Sequence, residues 1–398
     1  MLPVSESFEY EYRGCDLIYG RGCVGRLDDY LAERDLDRAL IVCGSNVGAN
    51  DELMEPITEG IGDRLAGVFD GTTPKKSAED AFGAIGEMHE TNADVLVGVG
   101  GGSSLDVARQ ASVFAPDGRS LAKLREEARD GEVIPPDPND ERPPVIVVPT
   151  TFAGADVSDS GSIELLSAAE SPTGQPVSVG GSAMPIADFA DPDLFGTTPA
   201  GALLGSAMNG LDKGIETPYA RDANPVSDAA AVHGLRLLSG ALPRAVGGSD
   251  DVEAMERAVV GSLLVQIDRK ISIIHAFGHG FARRYSLQQG AVHAVVAPHV
   301  LRYLFEEVDA GRALLAEGFG TDPAGCSADE LADAVVEAVT GVRDALDAPT
   351  RLRDLPETRR EDLPAIAEFV VDDPPMARAP AGLEPTVEGI ETVLRDAW

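Results

Sequence analysis

Val97–Gln110 reads VGVGGGSSLDVARQ, and the fold follows from how that stretch divides. Asp94–Val99 (DVLVGV) is an apolar run of strand length. Gly100, Gly101 and Gly102 follow it with Ser103 and Ser104, and Leu105–Phe114 has helical spacing with Asp106 in its first turn. A strand that empties through glycines into a helix N-terminus is a phosphate site. Bare glycine backbone lets N–H groups approach an anion, and the helix dipole favours negative charge there. The spacing is neither that of the common dinucleotide fingerprint nor that of a Walker loop. The plainer alternative is a tight strand-to-helix turn without a ligand.

Around this turn, Cys15–Gly20 (CDLIYG), Arg38–Cys43 (RALIVC) and Ala66–Asp70 (AGVFD) predict strands, and Val24–Arg34, Leu53–Leu65 and Ser77–Thr91 predict helices. That alternation implies a doubly wound parallel sheet. Leu124–Pro144, acidic and rich in proline, predicts a loop. Val145–Val148 predicts a strand running into Pro149, Thr150 and Thr151, with Gly161–Leu165 and Ala183–Phe189 as a hairpin-like extension. The texture changes near Asp191-Pro192-Asp193. Beyond it the periodicity predicts helices over Ala200–Tyr219, Ser227–Leu242, Val252–Ala282, Val292–Asp309, Ala328–Leu346, Arg360–Val371 and Thr386–Ala397. The expected architecture is an α/β domain over 1–190 followed by an all-helical domain over 191–398.

The 398 residues carry 67 Asp and Glu against 32 Lys and Arg, a net charge of −35, and only five of the bases are lysines: Lys75, Lys76, Lys123, Lys213 and Lys270. Spread acidity of this kind repels nucleic acid and anionic membranes, which excludes both as partners. It suits a high-salt cytoplasm, where salt screens the self-repulsion. The opening residues lack a basic-then-apolar leader, and no apolar run reaches membrane length, so a cytoplasmic protein is expected. The four cysteines are scattered without a CxxC pair and suggest neither zinc nor a disulfide framework.

Four of the six histidines, His275, His279, His293 and His299, fall close together, and the first two share one helical face. Such a pair can hold a metal, serve as acid and base, or be a satisfied core feature. GVGGGSSLDVAR, PTTFAGADVSDSG (Pro149–Gly161), DPDLFGTTP (Asp191–Pro199), SAMNGLDKGIETPYARDANPVSD (Ser206–Asp228) and HAFGHGFARRYSLQQGAVHAVVAPHVLRY (His275–Tyr303) stand in the order and spacing of one family. The chain resembles the iron-containing, or group III, alcohol dehydrogenases, which have a dehydroquinate-synthase-like fold. Within them it looks most like the maleylacetate reductases.

The resemblance implies an NAD(P)-dependent oxidoreductase, and the family's homodimer. Gly100–Ser104 and Asp106 would hold the pyrophosphate region, and Thr150 and Thr151 would lie along the nicotinamide half. Gly44, beside Asn46, stands where NAD-selective members carry the aspartate that reads the ribose 2′-hydroxyl. Its loss removes repulsion against a 2′-phosphate, so NADPH is admitted.

The family's four metal positions fall on Asn209, Lys213, His275 and Gln289, with Glu216 fixing the register. Two amides and an ammonium are poor company for a divalent cation, so no catalytic metal is expected. An alternative register would use Asp212 and Glu216 as a carboxylate pair. In the first register, with no metal, Lys213 would take the cation's place against charge developing on a substrate oxygen. Its plainer reading is a surface pair with Glu216. His279 matches the histidine beside the nicotinamide and is a proton-relay candidate. Asn209, His275, Gln289 and His293 would complete a polar pocket, and Arg283 or Arg284 could hold a substrate carboxylate. The rivals are a metal-dependent alcohol dehydrogenase and an inactive nucleotide-binding protein.

Overall fold

The computed structural model describes residues 8, 10, 14–137, 141–247 and 251–398. The opening residues, read above for a leader, and part of the acidic proline-rich segment lie outside these. The chain divides into two compact units, Tyr12–Thr198 and one built on Pro199–Trp398.

Among the described residues, the first unit has eight strands: β1 (Asp16–Tyr19), β2 (Ala39–Gly44), β3 (Leu65–Thr72), β4 (Val95–Gly100), β5 (Val145–Pro149), β6 (Ile163–Leu166), β7 (Val177–Val179) and β8 (Ala187–Ala190). Its helices are α1 (Leu27–Ala32), α2 (Ser45–Gly48), α3 (Asp51–Ile61), α4 (Ala78–Thr91), α5 (Gly102–Phe114), α6 (Leu121–Asp130) and α7 (Pro192–Gly196). Six strands form one parallel sheet in the order β1-β8-β5-β4-β2-β3. Its central strands are apolar on both faces because both are covered. Leu40, Val42 and Leu96 pack with α4 and α5, while Ile41, Cys43 and Val97 pack with α1 and α3.

Three expectations need correction. Ala183–Phe189 is not half of a hairpin: β8 joins the parallel sheet between β1 and β5, and the antiparallel partner of β6 is β7. The start of the expected loop at Leu124–Pro144 is the end of a helix. Ser120 caps α6 through the Lys123 N–H, Gly131 ends it in the left-handed region, and Leu124 and Ala128, four apart, bury its inner face. Asp191 caps α7 rather than opening the helical half, and Leu194 joins the sheet's core, so the division falls a few residues beyond the change of texture.

β8 carries a buried acid. Ala187 and Phe189 face one core, and Asp188 between them points to the other side, fully buried beside Asp156. Burial first, then the neighbouring Asp156, pushes the Asp188 carboxyl well above the usual range. In the unfolded chain that proton leaves near pH 4, whereas the folded chain keeps it longer. Stability is therefore lost as pH rises above about 4. Asp188→Asn removes that slope, so its melting temperature gains on the parent by roughly 2–5 °C for each pH unit across the window. Melting curves from pH 4 upward that stay parallel for the two proteins would contradict this.

The second unit is helical: α8 (Ala200–Tyr219), α9 (Pro225–Val246), α10 (Val252–Gln266), α11 (Ile273–Ala282), α12 (Gln289–Glu307), α13 (Arg312–Phe319), α14 (Ala328–Ala345), α15 (Leu363–Asp372) and α16 (Val387–Asp396). The single helix expected over Val252–Ala282 is two helices. Asp268 lies in the left-handed region at φ 50°, and the chain re-enters a helix only where Glu216, from α8, receives the N–H groups of Ser272 and Ile274. A helix start leaves four N–H groups without partners inside the helix, and here a side chain from elsewhere meets them.

Candidate active site

Glu216 is the hub of the helical unit's polar interior. It is fully buried, and Oε2 accepts from the Ser272 N–H at 2.9 Å while Oε1 accepts from the N–H groups of Ile274 at 2.6 Å and His275 at 3.2 Å. The Tyr219 hydroxyl donates to Oε1 at 3.2 Å, and His275 Nδ1 meets Oε2 at 2.5 Å. Burial raises the Glu216 carboxyl to about 7 against the pull of those N–H groups. A solvent-exposed pair between Lys213 and Glu216 is ruled out, since both residues are buried.

Lys213, one turn earlier on α8, is itself buried at 6% exposure. Burial first, then the charges of His293 and Lys213, holds the His275 imidazole well below its usual range. His293 is pushed down to about 3 by burial, with Glu216 opposing and His279 and Lys213 adding to it. The Asp212 carboxyl is driven well up by burial and by Glu216. The Lys213 amine, two imidazoles held neutral and two carboxyls therefore share one buried interior. The His275 and His293 rings lie edge to face, 4.6 Å apart, and His293 Nδ1 is 3.1 Å from Asp212 Oδ2 without the alignment of a hydrogen bond. Among the described residues, both Nε2 atoms and the Asp212 oxygens are buried without a hydrogen-bond partner.

Glycines set these distances. A Cβ on Gly278 would lie 2.2 Å from His293 Nε2, so that imidazole fits only because α11 has no side chain there. A Cβ on Gly290 would lie 2.1 Å from the Gly205 carbonyl oxygen and 3.4 Å from the Asn209 nitrogen. The first turn of α12, which Gln289 opens, is thereby brought against the backbone of α8 at Gly205 and Asn209. The two arginines sit apart from this group in their contacts. Arg284 pairs with Asp362 at 2.5 Å, and Arg283 is exposed with its guanidinium 4.4 Å over the Phe369 ring. His279 is less buried than His275, and its Nδ1 lies 2.7 Å from Asp373 Oδ2. Asp373, Asp212 as the partner of His293, and Tyr219 escaped the sequence reading; only contacts distant in the chain disclose the first.

In the first unit the glycine turn has the expected form. Gly100 closes β4 at φ 123°, Gly101 caps α5 and Gly102 begins it. Thr150 donates its N–H to the Gly100 carbonyl at 3.1 Å, and a Cβ on Gly101 or Gly102 would meet Thr151 at 3.3 Å or Ala155 at 3.2 Å. Side chains there would fill the space over the turn. Ser104 is buried and its hydroxyl is 2.8 Å from that of Thr72, which ties α5 to the end of β3, while Ser103 is half-exposed. Gly44 caps α2, leaving Ser45 and Asn46 exposed at the end of β2. Asp106 does not stand open to a phosphate. Lys76 takes one of its oxygens at 2.9 Å and the fully buried Arg109 the other at 2.8 Å. A carboxylate repels an anion unless so compensated, and its part is to anchor these two cations.

The family profiles described as iron-containing alcohol dehydrogenase and as the C-terminal part of the Fe-containing alcohol dehydrogenase family match residues 15–171 and 204–398. The chain belongs to the iron-containing alcohol dehydrogenase family. It is an oxidoreductase. Lactaldehyde reductase of Escherichia coli is 26% identical over 390 residues, 96% of this chain and 97% of that protein. Maleylacetate reductase 1 of Cupriavidus pinatubonensis is 26% identical over 396 residues, 99% and 98% of the two chains. The crystal structure of a 1,3-propanediol oxidoreductase superposes with a TM-score of 0.87 at 23% identity, covering 98% of this chain and 100% of that one, a likeness of fold.

The family's name implies iron, and the residues here do not fit it. Of the four positions, His275 alone offers an imidazole lone pair; Asn209 and Gln289 are neutral amides and Lys213 is an ammonium. The alternative carboxylate register fares no better, because Glu216 is committed to backbone N–H groups. Among the described residues, no group of three or more His, Cys, Asp or Glu could hold a metal ion. A dinucleotide fits: the glycine turn keeps open the close approach that a pyrophosphate needs. Among those residues also, no helix is long and apolar enough to cross a membrane.

Proposed function

We propose that this enzyme reduces a small carboxylate-bearing carbonyl compound or enone with NADH or NADPH, as maleylacetate reductases do, and does so without a metal. The observation that carries this reading is the burial of Lys213 among His275, His293 and Asp212, at the position where metal-bearing relatives place a ligand. The bound nucleotide supplies the hydride. As the carbonyl carbon gains it, the π pair moves onto oxygen, and Lys213 meets the growing negative charge and donates a proton. In a dry interior that charge stabilisation is worth far more than at the surface.

His279 returns a proton to the site, and the reaction as a whole consumes one proton with each hydride. Asn209, Gln289 and His293 line the pocket, and Arg283, whose guanidinium lies over the Phe369 ring, is assigned to the substrate carboxylate. Gly100–Ser104, Thr150 and Thr151 hold the nucleotide, with Gly44 and Asn46 at its adenosine ribose. The absence of an acid at Gly44 leaves room for a 2′-phosphate.

The acidic composition supports a cytoplasm of high salt and argues against nucleic acid or a membrane as partner. The assembly is read as a homodimer: among the described residues β1 is an edge strand, with Leu17 and Tyr19 at 44% and 41% exposure, and a second copy would cover it. A panel of keto acids, enones and plain aldehydes, assayed with NADH and NADPH at molar salt, tests the reading. A carboxylate-bearing substrate is expected to exceed its uncharged analogue in kcat/KM by about tenfold or more, the worth of one charged contact. Nucleotide binding without turnover of any compound would favour an inactive binding protein.

A further inference from the structure

We infer that Asp373 is the positioning residue of His279, fixing which ring nitrogen exchanges protons during reduction; this rests on the relay role given to His279 above. His275 and His279 lie four apart on α11, and each offers Nδ1 to a buried carboxylate, Glu216 for the first and Asp373 for the second. The two differ in exposure. His275 is sealed in, whereas the His279 side chain is 33% exposed and Asp373 beneath it only 7%. One ring is fixed and enclosed; the other is fixed at one nitrogen and open at its far side.

The backbone supports the contact from both ends. Asp373 ends α15, its N–H donating to the Val370 carbonyl and its own carbonyl accepting from the Met376 N–H. Pro374 and Pro375 follow, stiffening the turn and lacking the N–H groups that would compete for the carboxylate. On the other side, a Cβ on Gly280 would lie 3.1 Å from both Ile366 and Val370. Glycine at that position lets α15 close on α11, and that approach puts Asp373 at 2.7 Å from His279.

The chemistry follows from donor counting. A carboxylate only accepts, so His279 Nδ1 carries the proton and Nε2 keeps its lone pair. A free neutral imidazole would divide between two tautomers, and the wrong one presents a proton where a lone pair is needed. Nε2 then takes a proton from solvent and passes it inward as the substrate oxygen draws one from Lys213. No net charge accumulates on the protein.

Asp373→Leu removes the acceptor, and Asp373→Asn keeps a neutral one. On the full-length enzyme, Asp373→Leu is expected to lower kcat roughly tenfold to a hundredfold, within the range of general acid–base effects. The nucleotide KM should stay unchanged, and Asp373→Asn should recover part of the loss. Nitrogen-15 imidazole spectra of the parent protein should show His279 protonated at Nδ1, and those of the leucine variant a tautomer mixture. An Nε2-protonated His279 in the parent overturns the inference whether or not any variant folds. So does a leucine variant within twofold of the parent while His279→Asn is strongly impaired. If His279→Asn itself keeps full kcat, the relay role fails first, and this inference with it.

Discussion

Lys213→Met is expected to lower kcat by about 10²–10³-fold, the loss typical of removing one preorganised donor from a developing oxyanion. Methionine keeps most of the methylene stem, so the packing of α8 is largely retained while the ammonium is lost. The nucleotide dissociation constant should not move, because the glycine turn and its threonines belong to the other unit. Lys213→Ala should behave alike in kcat, and added methylamine or ammonium should restore part of its rate by entering the space of the lost side chain. A methionine variant turning over within a factor of three of the parent would show that the oxygen's charge is met elsewhere.

Glu216→Ala is expected to be the most destabilising single substitution in the helical unit. It removes the acceptor of three backbone N–H groups, the Tyr219 hydroxyl and the His275 ring. Leaving a buried donor without a partner costs about 1–3 kcal/mol each, so a loss of roughly 3–9 kcal/mol is expected from the three backbone N–H groups alone. Glu216→Gln keeps one carbonyl oxygen for Ile274 and His275 but turns an NH₂ group towards the Ser272 N–H, and should lose about half as much. Denaturant titration of the three proteins measures this. Activity should fall in the same order, because the Glu216 contact also sets the His275 ring. An alanine variant with an unchanged denaturation midpoint would mean that α11 begins without help from α8.

What the sequence disclosed and what it hid divide along chain distance. The glycine turn was legible because the strand, the three glycines and the helix are contiguous, and each reads by its own rule. The helix at Ala200–Tyr219 was legible from its periodicity to the residue. The break before α11 was not, because its cause is Glu216, far upstream, and the apolar pattern of Val252–Ala282 continues across it. β8 was misplaced for a related reason: ADFA is four residues long, and nothing local says whether its neighbour is β5 or β6. α6 hid in an acidic run where only Leu121, Leu124 and Ala128 pack inward. In the site, the register of Asn209, Lys213, His275 and Gln289 came from resemblance. Burial of Lys213 and the Asp373 contact needed three dimensions.

The most direct test of the claim that an ammonium replaces a metal is the metal content of the active enzyme. Protein purified without chelators or metal-affinity resin, shown to turn over a carboxylate-bearing substrate and analysed by mass spectrometry for iron, zinc, manganese and nickel, should hold well under a tenth of an equivalent of each. Stoichiometric iron or zinc, lost together with activity on dialysis against a chelator and regained with it on return of the ion, would contradict the account.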